Sequence, residues 1–139
     1  MTEAIAQIDR NMDAELGDVL VHFPDIILAV LFGSVAKGRQ RADSDLDIAV
    51  AANHILTAQE KMALIAALAQ RTGRAIDLID LGVVPEPLLG QIVRHGRRVL
   101  GSDTVYGKLI SRHLFEQEDF MPYRNRLLEE RRVSWIGKL

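Results

Sequence analysis

Apolar residues recur at helical spacing from the start of the chain. Ile5, Ile8, Met12, Leu16, Val19 and Leu20 predict an amphipathic helix over residues 3–20. Phe23-Pro24-Asp25 ends it, because proline cannot supply a helical N–H. The period then changes. Ile26 to Phe32 is an unbroken apolar run stopped by Gly33, the pattern of a central strand covered on both faces. Ser34 to Lys37 predicts the start of a short helix, Gly38 to Ser44 a polar loop, and Asp45 to Ala51 a second strand.

Helical spacing returns beyond residue 57. Thr57 and Glu60 have capping-box spacing, Met62, Ile65, Leu68 and Ala69 share one face, and Gly73 is the stop. "RAIDLIDL", residues 74–81, predicts a third strand, and Val84 to His95 a helix with Pro85 and Pro87 near its start. "RRVLG" adds a short edge strand. Val105, Leu109, Leu114 and Phe115 predict a further helix, interrupted near Pro122 and followed by the basic end "YRNRLLEERRVSWIGKL". This order is α/β in character and fits one domain over residues 1–139. Its core covers about 25–100, and 102–139 is a C-terminal helical extension.

Composition narrows the classes of function. Aromatic residues are only 5% of 139, so the core rests on Leu, Ile, Val and Ala. The net charge of −2 gives no global basic field, and direct nucleic-acid binding is not expected. Without cysteine there is no disulfide, thiolate metal site or Cys nucleophile, as suits a reducing cytoplasm. Glu3, Asp9, Asp13, Glu15 and Asp18 have the wrong sign for a signal peptide, and the run from Ile26 to Phe32 is too short to cross a bilayer. The expectation is a cytoplasmic protein with no membrane association.

Candidate chemistry lies between the first two strands. Alternation along a strand points Asp45 and Asp47 the same way, roughly 6 to 7 Å apart at Cα. Two like charges so placed are costly to desolvate without a cation, and their oxygens can converge on one or two Mg²⁺ ions. Gly33 and Ser34 sit where a strand turns toward a helix: glycine admits a phosphate to the backbone and the serine adds a hydroxyl donor. Lys37, Arg39 and Arg41 lie between and could neutralise a polyphosphate. A lone D-x-D, Gly-Ser or basic loop is ordinary surface; their joint spacing is not.

Asp77 and Asp80 have opposite strand parity, so only one of them can share the face of the acidic pair. His22, His54, His95 and His113 show no i, i+4 pairing for zinc and read as surface or local hydrogen-bonding residues. Arg94, Arg97 and Arg98 read as a solvated helix end.

Gly33-Ser34, ten residues, then Asp45-Leu46-Asp47 resembles the G-S-x10-D-x-D signature of the DNA polymerase beta-like nucleotidyltransferase superfamily. "GSVAKG" and "SDLDIAV" resemble its minimal nucleotidyltransferase branch, and within it the MntA-type antitoxins that work with a HEPN-domain ribonuclease toxin. Two positions depart from the branch: Lys37 stands where arginine is common, which loses a bidentate fork, and Ala42 stands where proline often precedes the acidic pair. The resemblance implies a minimal nucleotidyltransferase fold, a small mixed sheet flanked by helices. It implies Mg²⁺, as two ions, held by Asp45, Asp47 and a third carboxylate, which the family's pattern sets at Asp77, with Asp80 a cap or exposed residue. It further implies triphosphate contacts from Gly33, Ser34, Lys37 and Arg39, with ATP as donor. The acceptor it implies is a tyrosine of the HEPN toxin, which receives AMP as pyrophosphate leaves. A chain of this size leaves no second domain for an acceptor pocket, in keeping with a protein acceptor. The alternatives are a non-catalytic antitoxin that binds nucleotide and masks its partner sterically, an antibiotic nucleotidyltransferase, and a D-x-D glycosyltransferase, which the Gly-Ser turn and short chain disfavour.

Overall fold

The computed structural model describes residues 2–33 and 45–116, with side chains from residue 11 onward. Helix α1 (Thr2–Leu20) leads into strand β1 (Ile26–Phe32), and strand β2 (Leu46–Ala52) follows. Helix α2 (Ala58–Thr72), strand β3 (Ile76–Asp80), helix α3 (Leu88–His95), strand β4 (Arg97–Leu100) and helix α4 (Asp103–Phe115) complete the described order. The four strands form one mixed sheet in the order β3-β2-β1-β4. β1 is antiparallel to both β2 and β4, while β2 and β3 are parallel and joined through α2.

The unbroken apolar run of β1 is explained by its place inside this sheet. Ala29 and Leu31 face a core shared with Met12, Leu16, Leu64 and Leu68 of α1 and α2. Leu28 and Val30 face the other core, shared with Leu89 and Ile92 of α3 and Leu109 of α4. Truncating any of these buried leucines to alanine would cost about 2–5 kcal/mol. The one breach is Ile27, which is exposed where the β1–β2 register shifts.

Local chemistry sets the element ends. The Thr57 side chain accepts from the Glu60 N–H, and Glu60 returns a bond to the Thr57 N–H, so two orphan donors at the start of α2 are satisfied. Gly73 closes α2 in the left-handed conformation, φ 70°. Helix α3 begins only at Leu88, later than the spacing predicts, because Pro85 and Pro87 cannot donate the N–H groups that a helix running through them would need.

Two side-chain expectations are corrected. Arg97 and Arg98 belong to β4 rather than a solvated helix end: Arg97 grips both oxygens of Asp13 at 2.7 Å, and Arg98 pairs with Asp103 and lies over Tyr106. His113 is neither on the surface nor locally bonded. It is 4% exposed and donates from Nδ1 to Glu86 Oε1 at 2.5 Å, across 27 positions of sequence. Glu86 Oε2 accepts from the Gly90 N–H, and Arg112 donates to the carbonyls of Leu81 and Val84. Together these bonds fasten α4 to the segment between β3 and α3. The expected interruption near Pro122, the basic end, and the short helix and loop of residues 34–44 lie outside the described residues.

Candidate active site

Direct partners in a sheet ladder share a face, and two registers converge on Asp47. Phe32 is its partner on β1, and Asp77 its partner on β3. A row of Asp77, Asp47 and Phe32 thus crosses three strands on the face covered by α3 and α4. Asp45 stands just before β2, two residues from Asp47, and is exposed.

The charges are crowded. The Asp47 carboxyl is held above its ordinary value of 3.8, first by loss of solvation. The charge of Asp77 adds to this, as do a hydrogen bond with the Asp77 side chain and the charge of Asp45. All the donors here are carboxylate oxygens, the kind Mg²⁺ favours, and their mutual repulsion is the deficit a cation would relieve. The residues present therefore fit a bound divalent ion.

Gly33 completes the described part of the site. Its φ of 74° lies in the left-handed region, and a Cβ there would run into the Asp47 carboxylate, with Cγ only 3.0 Å away. The turn needs glycine twice over, for the backbone angle and for the close approach. It brings the chain where the predicted phosphate-binding turn begins against the acidic row. Ser34, Lys37 and Arg39, with Arg41, lie outside the described residues.

Asp80 is set apart. It partners Val50, is 4% exposed, and accepts from the Leu56 N–H (3.0 Å) and the Gly82 N–H (2.8 Å). It is a cap, as expected, but a buried one that ties β3 to the start of α2. The parity of the strand separates it from Asp77.

A second acidic group was not anticipated: Asp25, His54 and Glu60 have ligand atoms within 4.8 Å of one another. It lies beyond the far end of β2, more than about 20 Å from Asp45 by strand rise. His54 there bridges Asn53 and Glu60, each at 2.7 Å, and the other Glu60 oxygen is committed to the α2 cap. A cleft of about 380 Å³ adjoins the acidic row, lined by Phe32, Gly33, Leu88, Gln91 and His95. No described helix is long and apolar enough to cross a membrane.

Known proteins give this geometry a family. The protein adenylyltransferase MntA of Shewanella oneidensis is 35% identical over 81 residues, 58% of this chain and 58% of its own length. The chain's match thus spans little more than half of that relative. Among solved structures, a toxin–antitoxin complex with AMP-PNP superposes with a TM-score of 0.74 at 25% identity, covering 85% of this chain and 96% of that one. A complex of tri-AMPylated Shewanella oneidensis HEPN toxin with its MNT antitoxin shares the fold, with a TM-score of 0.71 at 22% identity and coverage of 87% and 96%. Residues 14–105, which include Gly33, Asp45, Asp47 and Asp77, match the family described as "Polymerase beta, Nucleotidyltransferase", and the chain belongs to that family.

Proposed function

We propose that this protein is an antitoxin that transfers AMP from ATP to a tyrosine of a cognate HEPN ribonuclease toxin, silencing it in the cytoplasm. The observation that carries this reading is the row of Asp47 and Asp77 beside the Gly33 turn, with Asp45 two residues away. The named activity of MntA and the AMP-PNP and tri-AMPylated complexes of the structural relatives point the same way.

Each residue has a distinct task. Asp45 and Asp47 hold Mg²⁺, with Asp77 as third ligand. A pair of such ions supplies Lewis-acid support to the attacking and leaving oxygens of an in-line displacement. Gly33 lets the triphosphate approach the backbone, and Ser34, Lys37 and Arg39 contribute a hydroxyl and cations to it. Asp77, exposed on edge strand β3, meets the incoming tyrosine and accepts its phenolic proton. The tyrosine oxygen bonds to the α-phosphorus, the bridging bond to the β-phosphate breaks, and pyrophosphate departs.

The rival reading is a steric mask that only binds nucleotide. It has no need for Asp77, which sits at the edge of the sheet rather than in its packing. Incubation with α-³²P-labelled ATP, Mg²⁺ and the purified toxin tests the proposal. Label on the toxin, lost with Asp45→Asn plus Asp47→Asn in a folded variant, supports it; label retained by that variant overturns the metal role.

A further inference from the structure

At the end of the sheet opposite the acidic row, three elements meet on one small group of side chains. Asp25 stands just before β1, His54 two residues beyond β2, and Glu60 in the first turn of α2. Each offers one ligand atom, and the three atoms lie within 4.8 Å of one another. The backbone holds two of these positions together, because the Asn53 N–H donates to the Asp25 carbonyl at 3.1 Å.

Two of the three side chains are oriented from outside the group. His54 donates from Nδ1 to Asn53 Oδ1 at 2.7 Å, which turns the Nε2 lone pair inward. The Thr57 N–H donates to Glu60 Oε1 at 3.1 Å, which leaves Oε2 facing His54 Nε2 at 2.7 Å. No described hydrogen bond or ion pair engages the Asp25 carboxylate. A nitrogen lone pair therefore stands against two carboxylates. A second proton on His54 would serve Glu60 and leave Asp25 without a partner. A divalent cation serves all three. Bonds to the remote nitrogen of the imidazole and the remote oxygen of the carboxylate are also how metal ligands are held in place.

We propose that Asp25, His54 and Glu60 form a second metal site, selective for a divalent transition ion such as Zn²⁺. The imidazole separates it from the catalytic row. All-oxygen ligands suit Mg²⁺, whereas imidazole nitrogen with carboxylate oxygen suits Zn²⁺. Bonds of about 2.0–2.1 Å to a tetrahedral ion place ligand atoms roughly 3.3 Å apart, so the His54–Glu60 side need open by only about half an ångström. Asp25 and His54 are exposed and free to make that adjustment. A cleft of about 240 Å³, with His22, Asp25 and Glu60 in its wall, adjoins the group and leaves a fourth position open to water. A bound ion pins the start of β1 and the end of β2 to α2, so it acts on the stability of this end of the fold and not on transfer.

The test is isothermal titration of Zn²⁺ into the whole protein carrying Asp45→Asn plus Asp47→Asn, which removes the catalytic row as a competitor. This parent should bind one Zn²⁺ per chain, with Mg²⁺ unable to displace it. Asn53→Ala should weaken Zn²⁺ about tenfold or more, and His54→Ala and Asp25→Ala more still. Zn²⁺ should raise the thermal midpoint of the parent and not that of the His54→Ala variant. Co²⁺ in its place should give visible absorption that His54→Ala abolishes. No Zn²⁺ bound by the parent, or an affinity within about twofold of the parent in both His54→Ala and Asp25→Ala, overturns the site. Both side chains are exposed, so these variants test the site without disturbing the core.

Discussion

Asp47 and Asp77 are direct partners across the parallel β2–β3 pair, so two carboxylates from strands 30 positions apart in sequence face each other on one side of the sheet. Parallel register with a helical crossover achieves this, and no local motif does. The consequence is a negative site that the apo protein tolerates at a cost, and the cost can be measured.

Asp47→Asn should stabilise the apo protein at neutral pH. The fold holds the Asp47 carboxyl above its ordinary 3.8, so its charged form is disfavoured in the native state. Native stability is then greatest below 3.8 and is lost as pH rises through the raised value. The variant's advantage in thermal midpoint should be present at pH 7 and vanish below about pH 3.8. Added Mg²⁺ should stabilise the wild type and leave the variant nearly unchanged. Thermal unfolding against pH and Mg²⁺ checks all three points.

Asp77→Asn and Asp80→Asn should separate activity from stability. Asp77 is exposed, and its amide variant, which relieves part of the repulsion on Asp47, should keep or raise the wild-type midpoint while losing transfer by about 10²-fold or more. Asp80 uses both oxygens to accept backbone N–H groups, and the asparagine NH₂ must face one of them. That variant should lose about 1–3 kcal/mol of stability and remain active when folded. Denaturant unfolding and labelled transfer on both proteins decide it. Loss of transfer confined to folded Asp80→Asn would reverse the roles.

Much of this was legible in the sequence, for identifiable reasons. Strong periodicity placed α1, β1 and α2, and Thr57, Glu60 and Gly73 marked α2's ends because capping is local chemistry. The parity of Asp77 and Asp80 followed from the two-residue repeat of a strand. What remained hidden depends on long-range packing. His113 gave no sign of its buried Glu86 partner, 27 positions away. Arg97 gave none of its grip on Asp13, 84 positions away. The cleft beside Phe32 arises only when α3 lies across the sheet, so no local run of residues announces it.

Gly33→Ala should damage both fold and site. Its left-handed φ costs a non-glycine residue about 1–2 kcal/mol, and the added methyl must displace the Asp47 carboxylate. A lowered midpoint with nucleotide affinity weakened about tenfold or more is expected, read by thermal unfolding and equilibrium binding. Wild-type affinity in this variant would contradict the proximity of the turn to the bound triphosphate.

His113→Ala should cost about 2–4 kcal/mol, because it removes a buried ring and leaves Glu86 Oε1 without its hydrogen-bond partner. The loss should release α4 first, visible as faster hydrogen exchange in residues 103–115 than in α2.

The central claim is that the protein acts on its partner as a catalyst and not as a cover. It is tested most directly by the toxin's intact mass and RNase activity over time, with the protein at about one-hundredth of the toxin concentration, in ATP and Mg²⁺. The account predicts mass gains in whole AMP steps on tyrosine and a parallel fall in RNase activity, both absent with Asp77→Asn. Inhibition that requires at least one protein per toxin, proceeds without ATP and leaves the toxin's mass unchanged would contradict it.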